Sequence, residues 1–152
     1  MIKFQKLPIQ HKQILQPFFE PLFFRTYFNL DKITICIMPK WFGTLGGRGT
    51  HTAAAVVGKH ICVIPEVLIC KKNQQIRNNY WSIDNDAKGI ATWCHEVFHC
   101  YQFHEKPWRF VGQGILGIIY SLLYDKKLYN HKRFPYEQEA ILFAEKVRNH
   151  IL

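Results

Sequence analysis

The sequence predicts an α+β fold, a small β-sheet followed by a helical core, in a single domain over residues 1–152. Three observations carry this expectation. Short β-branched runs are confined to the region between Lys32 and Ile64. The segments after Asp84 have helical periodicity and are punctuated by capping residues or proline. The chain has 152 residues, 48% of them hydrophobic, enough for one sizeable core. There is no internal repeat, low-complexity tract or linker.

Leu7 to Phe24 is apolar with polar interruptions, and Pro8, Pro17 and Pro21 divide it, so one or two short helices are expected. Lys32 to Met38 is a strand closed by Pro39. Trp41 to Thr52 carries four glycines and is a loop. Its glycines lack the Gly-Lys-Ser/Thr ending and the following helix of a phosphate-binding loop. Ala53–Val57 and His60–Ile64 are two strands joined by a tight hairpin at Gly58-Lys59. Cys70 to Trp81 is a polar loop. Asp84, Asn85 and Asp86 offer N-caps for a helix that reaches about His104 and is stopped by Pro107. A second helix spans about Trp108 to Tyr124. Asp125 to Phe134 is a basic loop, and Pro135 suits the first turn of a last helix running to the C-terminus.

Net charge is +9, from 20 Lys and Arg against 11 Asp and Glu. The cations are scattered, with no run longer than a pair, which favours loose association with anionic surfaces. No nucleic-acid-binding motif is present, and no nucleic-acid partner is expected. The five cysteines, Cys36, Cys62, Cys70, Cys94 and Cys100, are odd in number, lack a C-x-x-C pair and sit in apolar settings. Unpaired thiols in a reducing compartment explain this pattern best. Residues 1–13 lack the apolar core of a signal peptide, so a cytoplasmic location is expected, with export by a specialised secretion system left open. The longest apolar stretch, Phe110 to Tyr124, is interrupted by Gln113 and three glycines. It is shorter than the roughly 20 residues that span a bilayer, so no transmembrane segment is expected.

The chemistry concentrates in His95-Glu96-Val97-Phe98-His99. On a helix, positions i and i+4 lie about 40° apart, so two imidazoles at that spacing can bind one metal ion. Glu96 lies about 100° from His95, where it can act on a metal-bound water without being a ligand. Trp93, Val97, Phe98 and Tyr101 mark the same helix as largely buried. A hydrolytic zinc site needs a third protein ligand. Glu137 and Glu139 both follow Pro135, and the helical wheel separates them. The stripe Ala140, Ile141, Ala144, Val147 and Ile151 spans about −80° to +40° relative to Glu137, whereas Glu139 falls at about 200°. Glu137 is therefore the expected third ligand, and Glu139 a first-turn acid favoured by the helix dipole. Gln102, within about 60° of both histidines, can hydrogen-bond near the site. His51, His60, His104 and His131 are weaker ligand candidates.

These residues resemble a family. His95-Glu-x-x-His-x-x-Gln102, followed after a helix by Glu137-x-Glu-Ala140, is similar to the compact gluzincin-type metallopeptidase-like domains associated with extracellular contractile injection systems. Ala53-Ala-Ala-Val-Val-Gly58-Lys-His-Ile61 resembles the stretch that precedes their H-E-x-x-H helix. A looser similarity exists to the ImmA/IrrE-like metallopeptidases. The resemblance implies a zincin-like helical core, zinc held by His95, His99 and Glu137, and Glu96 as general base. The chain departs from the pattern in its long, very apolar helix after Pro107. It also carries Ile141 where the family often has Asp or Asn.

The expected function is zinc-dependent hydrolysis of peptide bonds by a metal-activated water, acting on a polypeptide substrate or partner protein. A strand near Ile61 would take up extended substrate at the sheet edge. Tyr124, Tyr129, His131 and Tyr136 are candidates for stabilising the oxyanion. The alternative is a zinc-containing binding or structural module without useful peptidase activity.

Overall fold

The computed structural model describes residues 2–26, 28–39, 41–42, 54–68, 81–83, 86–123 and 135–151. The described chain runs β1 (Lys3–Lys6), α1 (Ile9–Thr26), β2 (Thr34–Ile37), β3 (Ala54–Val57), β4 (His60–Val63), α2 (Ala87–Glu105), α3 (Pro107–Leu123) and α4 (Pro135–Ile151). Short 3-10 turns precede β2 and follow β4. This is the α+β architecture the sequence implies. The expected loops at 70–80, 43–52 and 125–134 lie outside the described residues.

The four strands are ordered β1-β2-β4-β3. β2 and β4 are parallel, with Ile35 opposite Ile61 and Cys36 opposite Cys62, and the outer pairings are antiparallel. The expected hairpin forms, with Val57 opposite His60 across the two-residue turn Gly58-Lys59. Gly58 has φ of 65°, a left-handed conformation that disfavours side chains. Ile61 belongs to an interior strand whose two sides are already paired. Among the described residues the sheet edge nearest Ile61 is β3, whose Val56 lies opposite it.

β1 was not expected. Its sequence, Lys-Phe-Gln-Lys, has no β-branched residue, and all four positions are exposed. It pairs antiparallel with β2, and its two lysines suit an outer edge, where charge discourages pairing with other chains. α1 is one helix rather than two, although Pro17 and Pro21 lie inside it. A proline removes the bond to the carbonyl four residues earlier. Here those carbonyls belong to Gln13 and Pro17, both exposed, so water can replace the lost donor. The inward face, with Leu15 and Phe19 fully buried, holds the helix on the core regardless.

α2 is the central element. It lies against β3 and β4, against α1, and most extensively against α4. Asp86 caps it by accepting a 3.0 Å hydrogen bond from the Lys88 amide. Trp93 is fully buried, stacks edge-on against His11 and Trp81, and donates its indole N–H to the Trp81 carbonyl at 3.0 Å. α3 turns Phe110 inward against His99, Phe103 and Tyr136. Its opposite face exposes Trp108, Val111, Ile115 and Ile119. Among the described residues, no helix is long and apolar enough to cross a membrane.

Gly89, in the first turns of α2, lets the backbone of Ser82 pass against the helix. A Cβ there would lie 1.9 Å from the Ser82 carbonyl oxygen. Helix propensity favours Gly89→Ala by about 1 kcal/mol, but forced displacement of packed backbone costs about 1–3 kcal/mol or more. Gly89→Ala is therefore expected to lower the urea midpoint of unfolding. An unchanged or raised midpoint would show that residues 81–83 do not pack there.

Candidate metal centre

The i, i+4 spacing on α2 and the start of α4 bring three ligand-bearing side chains together. Nε2 of His95 lies 2.8 Å from one carboxylate oxygen of Glu137, and Nε2 of His99 lies 3.0 Å from the other. The two Nε2 atoms are 3.2 Å apart, with the rings nearly perpendicular at 87°. One ligand atom from each residue falls within 4.8 Å of the other two. His95, His99 and Glu137 are therefore assembled as the sequence implies, and together they could hold a metal ion. Two imidazole nitrogens that close, facing a carboxylate, need hydrogen or a cation between them and its oxygens. Either N–H protons on the rings or a metal cation fills that place.

The surroundings decide which nitrogen of His99 is available. The Gln102 Nε2 group donates to the Tyr136 carbonyl at 3.0 Å and to the Glu139 carboxylate at 3.0 Å. Both partners are acceptors only, so the amide cannot be flipped. Its Oε1 must therefore face His99 Nδ1, 2.8 Å away, and accept a hydrogen bond from it. With Nδ1 protonated, neutral His99 presents the lone pair of Nε2 to the cluster, as ligation requires. Gln102 is 4% exposed, so these bonds form away from water. Ile141 supplies no such polar contact, and Gln102 supplies one to His99 instead.

The reading of Glu139 as a plain first-turn acid is corrected by its bond to Gln102. The most buried residues of α4 are Tyr136, Ala140 and Val147. On the wheel they lie at about −100°, −60° and −80° from Glu137, and the inward-packed Phe143 lies at about −120°. The inward face is thus centred further from Glu137 than the apolar stripe suggests, and Glu139 stands near its other margin. Glu139 also lies 4.0 Å from Arg109, whose guanidinium sits 5.3 Å from the centre of the Tyr136 ring.

The two glutamates nearest the histidines have opposite environments. Burial pushes the Glu96 carboxyl above its ordinary range; His95 and His99 oppose the rise, and Glu137 adds to it. Burial also works against the Glu137 carboxylate, but hydrogen bonds from His95 and His99, with their charges, hold it well below the usual range. For His99, burial disfavours the imidazolium. The Glu137 hydrogen bond, the charges of Glu96 and Glu137 and the Gln102 hydrogen bond outweigh it, and the pKa is raised.

The remaining sequence candidates fall elsewhere. His60 packs edge-on against Phe4, and His104 lies against Phe28. Tyr136 is buried, and among the described residues its hydroxyl finds no hydrogen-bond partner. His51, His131, Tyr124 and Tyr129 lie outside the described residues. Cys36, Cys62, Cys94 and Cys100 are free thiols, as expected, and Cys70 lies outside the described residues. Burial pushes Cys94 up to about 12 and raises Cys100 further, so packing rather than reactivity accounts for both. No protein-family model, curated protein or solved structure matches the chain.

Gln102→Ala is expected to weaken metal binding by about 10–100-fold, the usual scale for losing the hydrogen bond that orients a ligand histidine. Glu137→Ala should weaken it more, since a ligand is lost. Competition with a chromophoric chelator measures both, and equal affinity for wild type and Gln102→Ala would refute the tautomer argument. A second expectation concerns pH. Protons compete with metal for His99, whose pKa is raised from 6.5, so the apparent affinity should already be falling with acid above pH 6.5. A flat affinity from pH 8 to pH 6, measured in that same competition assay, would contradict ligation through His99.

Proposed function

We propose that the protein is a zinc-dependent peptidase. The observation that carries this reading is the convergence of His95, His99 and Glu137 with Glu96 beside them on α2. Two imidazole nitrogens and one carboxylate form a donor set suited to zinc, leaving a coordination position for a further ligand. When bound, zinc makes water acidic enough to attack near neutral pH and polarises a substrate carbonyl. Glu137, held ionised by its two histidines, supplies the anionic ligand. Glu96 serves as general base and then as general acid: its carboxylate takes a proton from the attacking water and delivers it to the departing amine. A carboxyl raised above its ordinary range is better matched to that exchange near neutral pH. β3, an edge strand among the described residues and beside α2, is where extended substrate would add a strand. The similarity of the H-E-x-x-H and Glu-x-Glu-Ala segments to gluzincin-type domains points the same way.

Glu96→Gln should keep the fold and one bound zinc per chain while losing peptide hydrolysis. General acid–base catalysis of this kind contributes about 10²–10⁴-fold. The assay is cleavage of a peptide library by wild type and variant, with zinc content measured in parallel. Equal cleavage by both would refute the role of Glu96. Zinc binding without any cleavage by wild type would favour the binding or structural module.

A further inference from the structure

A cavity of about 520 Å³ opens on a different side of α2 from the metal centre. It lies where the β3–β4 turn, the 3-10 turn before β2 and the last turns of α2 meet, and none of His95, His99 or Glu137 lines it. Its size is that of a small-molecule site, typically about 300–1,000 Å³. Phe28, Ile33, Cys100, Phe103 and Pro107 form the apolar wall. A Cβ on Gly58 would stand 3.4 Å from the Phe103 ring, so the turn packs directly on that wall.

The polar lining has one sign. Lys32, Lys59, His60 and His104 contribute basic groups, and no carboxylate lines the cavity among the described residues. The acid next to Lys32 in sequence, Asp31, forms a 2.8 Å ion pair with Lys12 instead. Asn29 accepts a hydrogen bond from the Asp31 amide at 2.8 Å, which fixes the turn that carries Lys32. An inorganic anion would leave the aromatic wall wet, and a neutral hydrocarbon would leave the lysines unused.

We propose that this cavity binds a medium-chain alkyl carboxylate. The chain lies against Phe28, Ile33 and Phe103, and the carboxylate sits among Lys32, Lys59 and His60. The site is independent of the zinc reading, because it shares no ligand residue with the metal centre.

Isothermal titration of the full chain with decanoate, in excess EDTA so that carboxylate binding to a metal cannot contribute, tests this directly. One decanoate per chain is expected, with amide NMR shifts centred on Gly58 and Lys59. Acetate should give no saturable binding. Shortening the chain to octanoate should weaken binding by up to roughly fourfold for each methylene removed. Decanol should bind more weakly than decanoate. Lys32→Glu combined with Lys59→Glu should weaken decanoate by about tenfold or more, since two exposed attractive charges become repulsive. The same double variant should leave decanol binding unchanged, which also reports an intact cavity. Lys146→Glu, on α4, should have no effect on decanoate. No decanoate binding, shifts centred elsewhere, equal affinities for decanol and decanoate, or full affinity in the double variant would each overturn the proposal.

Discussion

The amide of Gln102 is the constraint on which the rest of the site depends. It joins α2 to α4 across 34 residues of sequence through the Tyr136 carbonyl, and it reaches back one helical turn to His99. A buried amide must satisfy both ends or destabilise the fold. Its donor end has two acceptors on α4, so its acceptor end has only the imidazole left. Helix packing, amide orientation and the histidine tautomer are therefore one decision. α4 cannot slide along α2 without unpairing Gln102, and His99 cannot change tautomer without opposing it. Glu137, next in sequence to Tyr136, is placed against the histidines by the same contact.

Much of this centre was legible because helical geometry converts spacing into direction. His95 and His99 had to share a face, and Pro135 fixed where α4 begins closely enough for the wheel to select Glu137. Glu139 was misjudged for a reason the wheel cannot contain. The wheel describes where a Cβ points, not how far a flexible side chain bends around a helix end. The aromatic residues Tyr136 and Phe143 also move the inward face away from the stripe drawn by the aliphatic residues. The Gln102 amide was legible only as a polar group near the site, since its partner is a backbone carbonyl that no side-chain pattern reports.

The fold was read best where structure is local. The β3–β4 hairpin follows from Gly58-Lys59 between two apolar runs, and α2 from its aspartate cap. What the sequence missed or left open is non-local. β1 owes its existence to the unpaired side of β2, not to any preference in Lys-Phe-Gln-Lys. α1 remains one helix because its inward face is anchored, while each carbonyl that proline strips of a donor belongs to an exposed residue. The strand order likewise cannot be read from the hairpin. Inserting β4 between β2 and β3 places Ile61 inside the sheet, and only then does β3 become the edge beside α2 among the described residues.

Burial acts on the two glutamates of the centre in the same direction, so the difference between them comes from partners. Desolvation raises both carboxyls. Glu137 faces two imidazoles at hydrogen-bond distance, one to each oxygen, and that reverses the shift. Glu96, one residue from His95 along α2 and therefore turned about 100° away, gains only the longer-range attraction of the same histidines, and burial prevails. A group held ionised is suited to ligation, and a group that can hold a proton is suited to moving one. Exchanging the two environments would require turning α2 about its axis, and that would withdraw Trp93 and Val97 from the core. The hydrophobic packing of α2 thus fixes which glutamate faces the histidines, and so which carboxyl stays raised by burial.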